Sequence, residues 1–131
     1  MVIDTSALIA ILFGEPEAPL FARAIADGSQ KLISAFNVLE TGIVVEARKG
    51  EPGGRELDLL MHRAQIENVA MNADQAEIAR AAWRKFGKGN HPAGLNIGDC
   101  CAYALTKYSG EALLFKGNDF SQTDVRAAIT F

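Results

Sequence analysis

The chain has 131 residues, of which 49% are apolar and 22% charged, with a formal net charge of −3. That size and apolar content suit one domain with a core of its own and exclude a disordered tail. The acidic balance supplies no overall cationic field for nucleic acid, although it leaves room for a local patch.

The opening MVIDTSALIAIL reads as a short buried strand at Val2 and Ile3, then a helix over residues 6–12 capped by Thr5 or Ser6. Gly14 and Pro16 break that helix. A second, Ala-rich helix follows over 17–26 and closes at Asp27–Gly28. KLISAF is a strand ending near Ala35. Asn37 has the character of an N-cap for a helix over 38–48, which Gly50 stops. EPGG reads as a loop, followed by a helix over 55–65 with Leu57, Leu60, Met61 and Ala64 at helical spacing. NVAM is a short strand. Residues 73–86 form a helix with Ile78, Ala82 and Phe86 on one side. After the loop GKGNHPAGLN, Asn96 caps a helix over 97–108 that ends at Ser109–Gly110. ALLF is a strand, KGNDFSQTD a loop, 124–128 a turn of helix and 129–131 a last edge strand.

Short apolar strands separated by helices need both sheet faces covered. The pattern therefore predicts a single α/β domain over 1–131, with a short, mostly parallel sheet between helical layers. The longest apolar run, residues 7–13, is too short to span a bilayer, and no signal peptide is visible, so a cytoplasmic location is expected. That same run fits an interface as well as a core. Cys100 and Cys101 are adjacent, which suits neither an ordinary disulfide nor a zinc site, and read as small apolar helix residues. His62 reads as a surface or boundary residue and His91 as one that orders its loop. The Gly-rich loop lacks the Gly-Lys-Ser/Thr ending of a P-loop.

In open α/β sheets, sites lie beyond the carboxyl ends of the strands. Asp4 stands at such an end. Glu40 and Asp99 sit near the starts of later helices, and Asp119 follows ALLF. Singly, each has a structural explanation: Asn37-x-x-Glu40 and Asn96-x-x-Asp99 have capping-box spacing, and Gly-Asn-Asp is turn composition. Glu46, six residues beyond Glu40, faces elsewhere. Together, four carboxylates in one crevice would repel and lose hydration. Mg2+ or Mn2+, hard cations that prefer oxygen ligands, would make the cluster tolerable and would point to phosphate chemistry.

The stretches VIDTSAL, ISAFNVLE, HPAGLNIGDCCAYAL and LLFKGNDF, in that order and spacing, resemble a PIN-domain ribonuclease, more narrowly a VapC-type toxin of a toxin–antitoxin pair. The resemblance implies a PIN-like three-layer fold. It implies that Asp4, Glu40 and Asp99 bind Mg2+ (or Mn2+), with Asp119 as the fourth acid. A water would then attack an RNA phosphate and leave 5′-phosphate and 3′-hydroxyl ends. Thr5 and Ser6 would hold metal waters or a phosphate. Where many relatives carry Thr or Ser near the end of the last strand, this chain has Phe115. Where some carry an extra acid, it has Asn118. The resemblance also implies a small VapB-like antitoxin that blocks the acidic crevice with a basic side chain, and a homodimer formed through the first helices.

RAAWRKFGKGNH supplies Arg80, Arg84, Lys85 and Lys88 for an RNA backbone. Trp83 and Phe86 read first as core residues, with stacking on unpaired bases as the alternative. Arg48 and Lys49 form a smaller patch that also suits a helix C-terminus. Two other functions compete: a different Mg2+-dependent phosphohydrolase, and a non-cleaving module that binds RNA or protein. The first is disfavoured because Ser6 stands where a phosphatase would place its second acid, and Ile3 where a receiver domain would pair one with Asp4.

Overall fold

A computed structural model describes residues 1–129. Val2–Ile3 (β1) leads into Thr5–Leu12 (α1) and Ala18–Asp27 (α2). Leu32–Ser34 (β2) leads into Ala35–Lys49 (α3), and Glu51–Arg63 (α4) follows at once. Glu67–Val69 (β3), Ala73–Phe86 (α5), Ile97–Ser109 (α6) and Leu113–Leu114 (β4) complete the unit, with a 3-10 turn at Phe120–Gln122. The strands pair in parallel in the order β3-β2-β1-β4, with Val2 opposite both Leu32 and Leu113.

Period-two alternation sends neighbouring strand residues to opposite faces. Val2, Leu32 and Leu113 pack with Ala82 and Phe86 of α5 and with Ala102 and Leu105 of α6. Ile3, Ile33 and Leu114 pack with Leu8, Phe21, Val45 and Leu57 from α1 to α4. Three layers result, with β1 buried at the centre, so Asp4 leaves the sheet from its most enclosed strand. Ala7, Leu8 and Ala10 of the first apolar run go into the core. Cys100 and Cys101 are buried free thiols, pushed up to about 11 chiefly by desolvation, as small core residues would be. Among the described residues, no helix is long and apolar enough to cross a membrane.

Five local expectations need correction. Asp4 itself, rather than Thr5 or Ser6, caps α1: its Oδ2 accepts the Ser6 N–H at 3.0 Å. Ser34, rather than Asn37, caps α3 through the Phe36 N–H, so that helix starts three residues early and Glu40 falls in its second turn. EPGG is helical and not a loop. Gly50 reverses the chain at φ +66°, and Pro52 then sits in the first turn, where its missing N–H costs nothing. A Cβ at Gly53 would lie 2.8 Å from the Val45 carbonyl oxygen, so glycine there lets α4 close on α3. Helix α4 also stops short, at Arg63, because Gln65 turns left-handed at φ +55° to start β3. Finally, 124–128 form no helix. Asp124 accepts from the Tyr103 hydroxyl at 2.7 Å and pairs with Lys107, which ties the segment to α6, while Ala127 bridges Leu113. Of the last edge strand, Ile129 packs on the core and 130–131 lie outside the described residues.

Arg48 and Lys49 are not free for a ligand. The Arg48 guanidinium lies 4.2 Å from the Phe13 ring centre, and Lys49 Nζ donates to the Leu12 carbonyl at 2.8 Å. His62 is exposed and His91 orders its loop as expected: the His91 ring meets Phe86 edge-on and its Nδ1 accepts the Ala93 N–H.

Candidate active site

Asp4 is 3% exposed. One carboxylate oxygen caps α1, and the other, Oδ1, is buried without a hydrogen-bond partner. Burial, with the charges of Asp99 and Glu40 adding to it against the Ser6 bonds, pushes the Asp4 carboxyl up to about 7. A buried acid that is neither neutralised nor fully bonded is costly, and folds rarely leave one without a ligand to meet it.

Glu40 reaches the same place from α3. The Thr5 hydroxyl donates to Glu40 Oε1 at 2.7 Å, and the Asn37 amide approaches the same oxygen at 3.4 Å. Asn37 is wholly buried, and its Nδ2 also donates to Thr5 Oγ1 at 3.2 Å and to the Gly98 carbonyl at 3.1 Å. One amide thus joins the starts of α1, α3 and α6. Once Ser34 takes the cap, Asn37 and Glu40 are i, i+3 neighbours on one helix face, and their spacing is lateral contact rather than a capping box.

Asp99 serves two ends. It completes a capping box with Asn96, accepting the Asn96 N–H at 3.1 Å while its own N–H donates to Asn96 Oδ1. Desolvation raises its carboxyl to about 6, with Asp119 and Glu40 adding to the rise against the Asn96 bond. Asp119 is exposed, at the start of the 3-10 turn, and its charge reaches Asp99. Ser6 holds the segment leading there: its Oγ accepts the Lys116 N–H at 2.9 Å. Phe115 packs against Phe120 in the same segment. The hydroxyls of Thr5 and Ser6 are therefore both engaged within the protein.

The acids share one electrostatic neighbourhood, but among the described residues no three of His, Cys, Asp and Glu already form a metal cage. The unpartnered Asp4 oxygen and the mutual repulsion fit a hard divalent cation, around which the carboxylates would draw in. Glycine at 98 is what admits Glu40. A Cβ there would lie 2.7 Å from the Glu40 Cδ, and closer to both of its oxygens. Gly98→Ala should displace a side-chain tip rather than backbone, so the melting temperature should stay within a few degrees. Activity should fall roughly 10- to 100-fold, with more metal needed for half-maximal rate. A metal titration of cleavage beside a thermal melt checks both.

The cations named from sequence do not act as a block. Arg80 and Arg84, one turn apart, flank Trp83, whereas Lys85 lies over the Phe86 ring and Lys88 is exposed beyond Gly87. Phe86 is core, at 5% exposure, while Trp83 is 49% exposed. The reading of both aromatics as core residues holds for Phe86 and fails for Trp83.

The family model for the PIN domain matches residues 1–126. The chain belongs to the PIN-domain family. It is 60% identical to a ribonuclease VapC of Mycolicibacterium smegmatis over 97% of this chain and 98% of that one. It is 58% identical to ribonuclease VapC30 of Mycobacterium tuberculosis over 95% of both. In fold it is similar to the Mycobacterium tuberculosis toxin VapC20, described as cleaving the sarcin-ricin loop, with a TM-score of 0.77 at 17% identity over 95% of each chain. It is also similar to a chain of a toxin–antitoxin complex from Klebsiella pneumoniae, with a TM-score of 0.70 at 20% identity over 94% of this chain and 92% of that one.

Proposed function

We infer that this chain is a toxin endoribonuclease of the VapC kind, dependent on Mg2+ or Mn2+ held by Asp4, Glu40, Asp99 and Asp119. The observation that carries the reading is the buried, unpartnered Oδ1 of Asp4, in a crevice where neighbouring carboxylates add to the raised pKa of Asp4 and of Asp99. A divalent cation held there supplies Lewis-acid activation of water and neutralises charge on the phosphate being cut. The protein's own part is placement. Asp4 and Asp99 are fixed by their caps, Glu40 is held by Thr5, and Asn37 locks the three helix starts together. Thr5 acts through Glu40 and Ser6 through the segment that carries Asp119, so their support for substrate is indirect. Of the cations named from sequence, Arg80 and Arg84, which lie together beside Trp83, are the pair best placed to meet an RNA backbone, which makes binding weaken with salt.

Cleavage of an RNA pool with Mg2+, with EDTA and by the Asp4→Asn variant tests this. Cleavage confined to wild type with metal supports it. Cleavage that survives chelation and substitution rejects the metal, and none under any condition points to a binding module.

A cytoplasmic setting suits an enzyme of this kind, and a small antitoxin would be its natural restraint. The anionic crevice would attract a basic side chain from that partner. Self-association is best supported on α3, where Leu39 and Ile43 are 60% and 62% exposed, rather than on α1, whose apolar residues largely face the core. Leu39→Glu should turn a dimer into a monomer in sedimentation, and a wild-type protein that sediments as a monomer would reject this pairing.

A further inference from the structure

Beside the acids lies a cavity of about 440 Å³, lined chiefly by apolar side chains, that the nuclease reading does not use. Phe36, Trp83, Ile97 and Cys100 line it, with Arg80 at its edge. It adjoins the crevice along two helices. Phe36 is one turn from Glu40 on α3, and Ile97 and Cys100 flank Asp99 in the first turn of α6. Trp83 and Ile97 are 49% and 67% exposed, large apolar surfaces left open at the cavity. Trp83 and Arg80 also line a second recess, together with Arg84.

We propose that this cavity takes an unpaired nucleobase flanking the phosphate that the acids address, stacked on Trp83, while Arg80 and Arg84 hold the adjoining backbone. The proposal rests on the nuclease reading and names its substrate as single-stranded RNA, or a loop whose bases can be turned out. Three features favour a base over an apolar peptide. A half-exposed aromatic ring that shares a recess with two arginines suits a base joined to phosphates. The volume lies within the range of pockets that enclose small planar ligands. Its lining residues Phe36, Ile97 and Cys100 stand within one helical turn of Glu40 or Asp99, a spacing over which one nucleotide would bring its phosphate to the acids and its base to the cavity.

Trp83 is the chain's single tryptophan, so its emission reports on this site alone. Short single-stranded RNA homopolymers of each base would be titrated into Asp4→Asn, and into wild type in EDTA as a second arm should that variant misfold. Saturable quenching by at least one homopolymer, and none by an abasic strand of equal length, is expected. Anisotropy of labelled RNA should show Trp83→Ala binding on the order of 10- to 100-fold more weakly, with Trp83→Phe close to wild type. RNA that binds without altering the emission, and binds Trp83→Ala as well as wild type, would overturn the base site while leaving the metal-dependent nuclease intact. Emission that changes with protein concentration and not with RNA would give the cavity to a second copy and overturn it too. RNA that neither binds nor is cleaved with Mg2+ would remove both readings.

Discussion

Asp4→Asn should lower RNA cleavage by on the order of a thousandfold or more while leaving the metal-free protein at least as stable as wild type at pH 8. Asparagine can still accept the Ser6 N–H, so the cap on α1 survives. What it removes is a buried like charge, and its amide gives the neighbouring carboxylates a donor. The sign follows from linkage. Burial and the charges of Asp99 and Glu40 raise the Asp4 carboxyl from 3.8 to about 7, so the folded state binds a proton that the unfolded chain has released. The corresponding stability is fully present below about pH 4 and is lost as pH rises through 7. Asp99, raised to about 6, acts in the same sense. In EDTA, wild type should therefore melt higher at pH 5 than at pH 8. Asp4→Asn should show less of this slope and should melt roughly 5 °C or more above wild type at pH 8. Mg2+ at pH 8 should restore wild type and not the variant. A variant that melts far below wild type in EDTA would make Asp4 a structural residue.

Three of the acids stand out as candidates in the sequence because each lies near a chain punctuation: Asp4 where an apolar strand stops, Asp99 in the first turn of α6 and Glu40 in the second turn of α3. The sequence also carried the parallel sheet, since short apolar strands alternating with helices leave few other arrangements. The errors cluster where two residues compete for one local role. Ser34 and Asn37 can both cap a helix, and the end of the strand decides between them: Ser34 ends β2, which leaves Asn37 inside the helix and free to bridge three elements. EPGG has turn composition, and what makes it helical is the close approach of α4 to α3 at Gly53, a tertiary fact. Trp83 was misplaced for a related reason. Helical periodicity gives a face, and Trp83 lies at the margin of the α5 core face set by Ala79, Ala82 and Phe86.

Asn37→Ala should cost about 2–4 kcal/mol, since it deletes the donor to Gly98 and Thr5 and leaves a buried space. That corresponds to a melting temperature lower by roughly 10 °C. At a temperature where the variant is fully folded, cleavage should still fall about 10- to 100-fold, because Glu40 and the start of α6 lose their common tether. Asn37→Asp separates tethering from mere filling of space. The Gly98 carbonyl can only accept, so the side-chain atom facing it must be a donor. An aspartate presents acceptors there and adds a carboxylate beside Glu40. In EDTA at pH 8 it should therefore melt below Asn37→Ala despite its nearly native shape. It should recover toward wild type as pH falls and the new acid takes up a proton that can bond Gly98. Equal melting of the two variants at every pH would mean that Asn37 only occupies volume, and that the acids are held by their own helices alone.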